Sequence, residues 1–382
     1  MPLYLALTVM TPLAARMTKK NTPAGSRRDY LNKMVLFSLF ATLFSVPALR
    51  GAVGNDYYWY TVIMHEVSVH GMVPTEAGFN VIVYLIYALF GFENYRFVFA
   101  CMSLMTVGLF LLWLWRESED FAFSLALFML GGSYFQAFST VRYYAAMPLV
   151  LLSFRYCMKR DWPRFLLMVL LASLIHKSAL VVLLFYPLAS LRWNKLFAVA
   201  GIVFSGVVAL FPSFWMKVAL RLYPSYQTAP FLGDESSPLN IVRCLLVLLL
   251  AVYVMRFEMQ RDLVFSKSAK SALPAPVKMQ EKERVEAVSE AYIGAYVRMT
   301  VMALAMYVCG GFLPQLSRLA FYLTIPQFIL LPALVNRVGD KGKKKMVTVL
   351  ILVFFVLVFL RFLMHASDDR IRVLPYTSFI FE

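Results

Sequence analysis

Apolar runs long enough to approach membrane-crossing length recur along this chain, and its lysines and arginines fall in the short stretches between them. In hydrocarbon no water satisfies backbone N–H and C=O groups, so such runs fold as helices whose hydrogen bonds close internally. With 61% hydrophobic residues and a mean hydropathy of +0.69, residues 1–382 read as a single integral membrane domain, not a soluble core. The formal net charge of +16 would otherwise suggest a nucleic-acid partner. Here the cations border apolar runs, which is the positive-inside pattern and argues against nucleic acid. Cys101, Cys157, Cys244 and Cys309 lie singly within apolar runs, without CxxC spacing, and read as small core residues. Met1 to Ala15 is apolar with its basic residues after it, so it reads as a retained first span and not a cleavable signal.

Loop charge orders the spans. Arg16, Lys19, Lys20, Arg27 and Arg28 place the first loop in the cytoplasm, and Met34–Leu49 then runs outward. Residues 50–94 hold Asp56, Glu66, Glu76 and Glu93 with hardly any Lys or Arg, and form an external loop. Within it, the apolar stretch Phe79–Phe92 covers only about 20 Å, against a hydrocarbon core of about 30 Å. Asn80, Tyr84 and Tyr87 give it a wetter stripe, so it is read as an interfacial amphipathic helix. Were it to cross, every later loop would invert and strand Lys159, Arg160 and Arg164 outside.

The remaining spans follow by alternation. Arg96–Trp115, Phe121–Thr140 and Tyr143–Met158 cross in turn, and Phe165–Ile175 with Ala179–Ala189 form two short helices meeting externally near His176. Leu196–Phe211 leads to an external loop carrying Tyr223, Tyr226, Asp234 and Glu235; Leu239–Val254 leads back to a charged cytoplasmic linker over residues 256–290, with Pro274 and Pro276. Tyr292–Phe312, Leu319–Leu334 and Met346–Leu360 complete an all-α polytopic membrane protein of about twelve transmembrane helices. Lys341, Lys343, Lys344 and Lys345 lie inside, and Pro375-Tyr376 outside.

On this topology Asp56, Arg142, His176 and Arg318 share the external side, beside or inside apolar runs where an ionised group is costly unless a partner or wet cavity receives it. Asp56 opens the run Tyr57-Tyr58-Trp59-Tyr60, either as a helix N-cap or as a general base beside sugar-stacking rings. Arg142, followed by Tyr143, is either a snorkelling anchor or a bidentate phosphate clasp. His176-Lys177 sits at the break between two short apolar helices, as an interhelical hydrogen bond or an anion site. Arg318 again reads as anchor or ligand. His65, Glu66 and His70 lack zinc spacing and read as a solvated helix face. No Walker A sequence, dinucleotide fingerprint or nucleophile elbow occurs, and nothing calls for a metal or another cofactor.

Five groups of residues together resemble the EpsG family of exopolysaccharide polymerases, a Wzy-like group. They are Arg50-Gly51 with Gly54-Asn55-Asp56-Tyr57; Glu76 with Gly78-Phe79; Phe138 to Arg142; Ile175-His176-Lys177-Ser178-Ala179; and Arg318 before Tyr322. The terminal Leu374-Pro375-Tyr376 adds to the likeness, whereas Asn55 stands where the family often has Thr. The layout also resembles GT-C glycosyltransferases, with an external first loop and an interfacial helix. The resemblance implies an enzyme at the outer, periplasmic face of the bacterial cytoplasmic membrane, joining undecaprenyl-diphosphate-linked oligosaccharide repeats into exopolysaccharide, capsule or O-antigen. Asp56 is then the first choice of general base and His176 the second, with Glu66 and Glu76 in reserve. Arg142, Lys177 and Arg318 would bind the diphosphate, with Tyr57 and Tyr143 against the substrate. Partners would be membrane lipids, a chain-length regulator and a flippase. The alternatives are a GT-C transferase using a polyprenyl-phosphate sugar donor and, from another class, a polysaccharide flippase or transporter.

Overall fold

Short polar side chains at loop ends take up the first free N–H groups of several helices and so decide where they begin. Ser26 accepts from Asp29 N at 3.1 Å, Asp120 from Phe123 N at 2.9 Å and Asp161 from Arg164 N at 3.4 Å. The computed structural model describes residues 1–71, 75–191, 193, 195–222, 238–258, 277–309 and 314–381. Among them the secondary structure is helical, apart from a β-bridge between Arg50 and Ser378. The chain divides into two compact units, Met1–Leu180 with Met346–Glu382, and Val181–Lys345.

The first unit contains α1 (Pro2–Ala15), α2 (Arg27–Ala48), α3 (Tyr57–His70), α4 (Ala77–Phe90), α5 (Tyr95–Glu117), α6 (Phe121–Leu130), α7 (Ser133–Gln136), α8 (Val141–Met158) and α9 (Trp162–Ser173). A 3₁₀ turn, Lys177–Val181, follows α9. The core is aromatic: Tyr4, Phe135 and Phe138 cluster beside Phe359 and Phe362 of the last helix, and Phe110 packs on Phe128. The apolar run Phe121–Thr140 is not one helix. It breaks at Gly131-Gly132, where Gly132 adopts φ +73° and the Phe362 ring lies close behind it.

Contacts distinguish the two ends of this unit. At one end, the Lys20 ammonium reaches the carbonyls of Arg116 and Ser118 and lies over Trp115, while Arg155 pairs with Glu117 at 3.7 Å. At the other, Tyr57 stacks on Phe99 with centroids 4.8 Å apart, and the C-terminal segment pairs with the residues after α2. There Gly51 N donates to Thr377 O and Gly54 N to Arg372 O, both at 2.8 Å, and the Tyr4 hydroxyl donates to Val373 O. Residues 50–94 therefore leave and re-enter the bundle at the same end, because α2 delivers Arg50 to the place from which α5 departs. The opposite end carries Lys19, Lys20, Arg116, Arg155 and Lys159.

The second unit contains α10 (Val182–Ser190), α11 (Lys195–Leu210), α12 (Pro212–Leu222), α13 (Pro238–Tyr253), α14 (Val277–Cys309), α15 (Pro314–Thr324) and α16 (Gln327–Asn336). α14 is its axis, packed against α10, α11, α13, α15 and α16. It begins at Val277, inside the stretch read as a linker, while Pro274, Pro276 and the external-loop residues Tyr223, Tyr226, Asp234 and Glu235 lie outside the described residues. The run Leu319–Leu334 is broken between α15 and α16, at Ile325-Pro326. Proline there removes a backbone donor and interrupts the ladder for two residues, while Arg318–Asn336 remains one apolar segment of crossing length. α17 (Lys341–His365) leads back into the first unit.

Six segments among the described residues have the length and apolarity to cross a membrane: Arg27–Ala48, Tyr95–Glu117, Pro238–Arg256, Ser289–Cys309, Arg318–Asn336 and Lys341–His365. Shorter apolar helices, Pro2–Ala15, Ala77–Phe90, Phe121–Leu130, Trp162–Ser173 and Lys177–Ser190, fall below that length. α4 measures 14 residues and ends at Gly91, whose φ of +100° stops the helix.

Candidate active site

Glu76 is the centre of the polar cluster at the motif end of the first unit. It precedes the first turn of α4, and its side chain is 8% exposed. One carboxylate oxygen takes an ion pair from Arg142 Nη1; the other accepts from Lys177 N at 3.1 Å and stands 3.3 Å from His176 Nδ1. The imidazole contact has ion-pair distance without full hydrogen-bond alignment. Burial alone would raise the Glu76 carboxyl, but His176, the Arg142 charge and the Lys177 N–H outweigh it and hold the group down at about 2. Glu76 is thus a carboxylate, and it gathers α8 and the α9–turn break around one charge.

Close backbone packing makes this possible. Gly78 N donates to Leu174 O at 2.8 Å, and a Cβ on Gly78 would lie 2.7 Å from that carbonyl oxygen. A glycine is needed for α4 to approach the turn before His176 so closely. α9 ends at Ser173, and His176 N bonds back to Ala172 O at 2.9 Å, so the imidazole leaves the chain where the helix unwinds. Tyr143 meets the His176 ring edge-on, with centroids 5.5 Å apart. The Arg142 guanidinium lies over Tyr60 at 5.5 Å and Phe79 at 5.2 Å, and its Nε is buried without a hydrogen-bond partner.

The residues singled out in the sequence divide between cluster and surroundings. Arg142, His176, Lys177 and Tyr143 come together, with the Lys177 side chain exposed. Asp56 occupies the N-cap position of α3 but makes no side-chain cap hydrogen bond. Its charge bears on Tyr60, the ring beneath Arg142. Tyr57 is buried against Phe99, and the exposed rings of that run are Tyr58 and Trp59. Arg318 belongs to the second unit, exposed on α15. His65 pairs with Glu93 at 2.5 Å and His70 with Glu66 at 2.8 Å, all with exposed side chains.

Glu76, Tyr60 and Phe79 carry more of the cluster than the sequence assigned to them. Arg50 is a further buried cation: it is 4% exposed, with Phe99 at 4.8 Å and Phe138 at 5.7 Å from its guanidinium. It lines a cavity of about 20 Å³ with Pro47, Ser103 and Phe138, room for a single water. Nearby, Ser139 Oγ donates to the Asn55 side chain and Arg142 N to the Tyr60 hydroxyl, which joins residues 54–60 to Phe138–Arg142.

The model of the EpsG family matches residues 33–378. The chain belongs to the EpsG family. That span covers nearly the whole chain and includes every residue of the cluster. Membership carries exopolysaccharide polymerase activity in general, glycosyltransferase-like in chemistry, and fits a multi-pass membrane protein. No curated protein and no solved structure gives a significant match to this EpsG-family chain.

Proposed function

We propose that this EpsG-family protein polymerises undecaprenyl-diphosphate-linked oligosaccharide repeats at the external face of the bacterial cytoplasmic membrane, with His176 as the general base. The observation that carries the reading is the Glu76 carboxylate, which holds His176 and Arg142 on its two oxygens. A carboxylate facing Nδ1 favours the proton there and leaves Nε2 as the basic nitrogen. This reverses the order suggested by sequence, in which Asp56 comes first. Asp56 becomes a positioning residue acting through Tyr60 on Arg142.

In the reaction, an acceptor sugar hydroxyl attacks the anomeric carbon of a second lipid-linked repeat. The new C–O bond forms as the bond from that carbon to the lipid diphosphate breaks. The hydroxyl proton passes to His176 Nε2, Glu76 stabilises the resulting imidazolium, and the lipid diphosphate departs with its negative charge. Arg142, partly neutralised by Glu76, orients the diphosphate, while the exposed Lys177 supplies further positive charge. Tyr143 shapes the His176 pocket, and Tyr57 backs the exposed rings of Tyr58 and Trp59 where sugars stack. The basic opposite end of the first unit supports an external cluster under the positive-inside rule. A chain-length regulator and a flippase are the expected partners.

Deletion of the gene tests the reading directly. Lipid-linked glycans from the deletion strain should accumulate as complete single repeats. Truncated repeats would assign the protein to a decorating transferase, and complete repeats retained on the cytoplasmic leaflet would assign it to a flippase.

A further inference from the structure

The second unit holds a cluster of buried polar atoms without partners, contributed by α13, α14, α15 and the start of α16. Arg243 is 7% exposed in the second turn of α13, yet its Nε and Nη2 make no hydrogen bond. Those two atoms form one complete edge of the guanidinium, the edge that takes two oxygens of a single oxyanion. The Tyr307 hydroxyl lies beside Arg243 and Thr324, and neither the Tyr307 Oη nor the Thr324 Oγ1 has a well-formed hydrogen bond. Gln327 points its amide nitrogen at Cys244 and Thr300, both at 3.5 Å, and leaves Oε1 unpartnered.

Leaving so many donors unmet inside an apolar unit is costly, and a half-satisfied polar network is worse than an apolar core. Isolated unsatisfied groups are matched by water; here donors from three helices converge, and one of them carries a permanent charge. We propose that the Arg243, Tyr307 and Thr324 side chains form a binding site for a phosphate group. The guanidinium edge would take two phosphate oxygens and the hydroxyls of Tyr307 and Thr324 the others. A carboxylate has too few oxygens for this set, and a halide offers a single acceptor atom to donors spread over three helices. Gln327 Oε1 leaves an acceptor for a hydroxyl adjoining the phosphate. Arg243 stands near the start of α13 and Tyr307 in the last turn of α14. It rests on residues separate from the Glu76 cluster and stands whatever reaction that cluster performs.

The phosphate can be lipid-borne or free, and one experiment separates the two. Full-length protein, delipidated in detergent, is titrated at constant ionic strength with farnesyl phosphate, farnesol or inorganic phosphate while its melting temperature is read. Saturable stabilisation by farnesyl phosphate but not by farnesol is expected, and stabilisation by inorganic phosphate as well would mean that the free ion suffices. Arg243→Met, Tyr307→Phe and Thr324→Val should each weaken apparent binding by about ten-fold or more. If Arg243→Met does not fold, the two shape-preserving variants carry the comparison. Equal stabilisation by farnesol, no response to either phosphate compound, or wild-type affinity in folded variants would overturn the site.

Discussion

Glu76 and Arg142, 66 residues apart in the chain, form a largely buried ion pair that brings the first turn of α4 against the start of α8. Since the same carboxylate faces His176, the pair sets the position of the imidazole as well as its own. Removing Glu76 alone leaves the Arg142 guanidinium uncompensated among Tyr60 and Phe79. Glu76→Gln should therefore destabilise the protein by about 3 kcal/mol, whereas Glu76→Gln with Arg142→Met should cost less than Glu76→Gln by itself. Thermal denaturation of the four proteins of this cycle measures it, and additive losses would mean that the pair contributes no coupling.

Protonation of Glu76 follows from the same geometry. Its carboxyl is held at about 2 in the folded protein, below the ordinary 4.5. A depressed folded value contributes stability that is complete above the unfolded value and is lost as pH falls toward the folded one. The melting-temperature gap between wild type and Glu76→Gln should thus stay constant from pH 7 to pH 5 and shrink between pH 4.5 and pH 2. A gap that closes already by pH 6 would show that the carboxylate is not held in this way.

His176→Gln keeps a hydrogen-bonding side chain but deletes the base, which should lower polymerisation by roughly 10²–10⁴. Asp56→Asn should cost less, because Asp56 acts at one remove through Tyr60. The measurement is conversion of purified lipid-linked repeats to polymer, with monodisperse elution confirming each fold. A dead Asp56→Asn beside an active His176→Gln restores Asp56 as the base.

Gly78→Ala places a methyl group on the Leu174 carbonyl, against backbone that cannot move without shifting His176. It should destabilise the protein by about 1–3 kcal/mol and reduce turnover disproportionately. Gly91→Ala makes a fair comparison, since nothing lies within 4 Å of a Cβ there and only its φ of +100° is strained. Equal activity losses in the two variants would remove the special role of the Gly78–Leu174 approach.

Topology is checked by labelling single cysteines with an impermeant maleimide in a background lacking the native ones. Val69→Cys, exposed on α3, should react in intact cells, while Glu119→Cys, exposed beyond α5, should react only after permeabilisation. The opposite pattern would invert the protein and put the Glu76 cluster in the cytoplasm.

Helix positions were largely legible in the sequence because their causes are local. Apolar run length, an Asp or Ser before a first turn, and glycine or proline at a stop act within a few residues. The runs Arg96–Trp115 and Met346–Leu360 accordingly lie inside α5 and α17, and the short interfacial candidate Phe79–Phe92 corresponds to α4. The breaks at Gly131-Gly132 and Ile325-Pro326 carried visible signals, but hydropathy averages over them and joined each pair of helices into one run.

The sequence by itself determined an all-helical membrane protein with basic and acidic loops segregated, and which motifs carry unusual charge. Only the tertiary structure decided which of those charges meet. Glu76 reaches Arg142 across 66 positions and Lys177 across 101, and no local pattern encodes such a pairing. It arises because α2 and α5 return residues 50–94 to one end of the bundle and because Gly78 lets α4 close on the α9 break. Arg243 makes the same point in the second unit. In sequence it is one arginine near a helix end, and its unmet guanidinium edge exists only once α14 and α15 have packed against it.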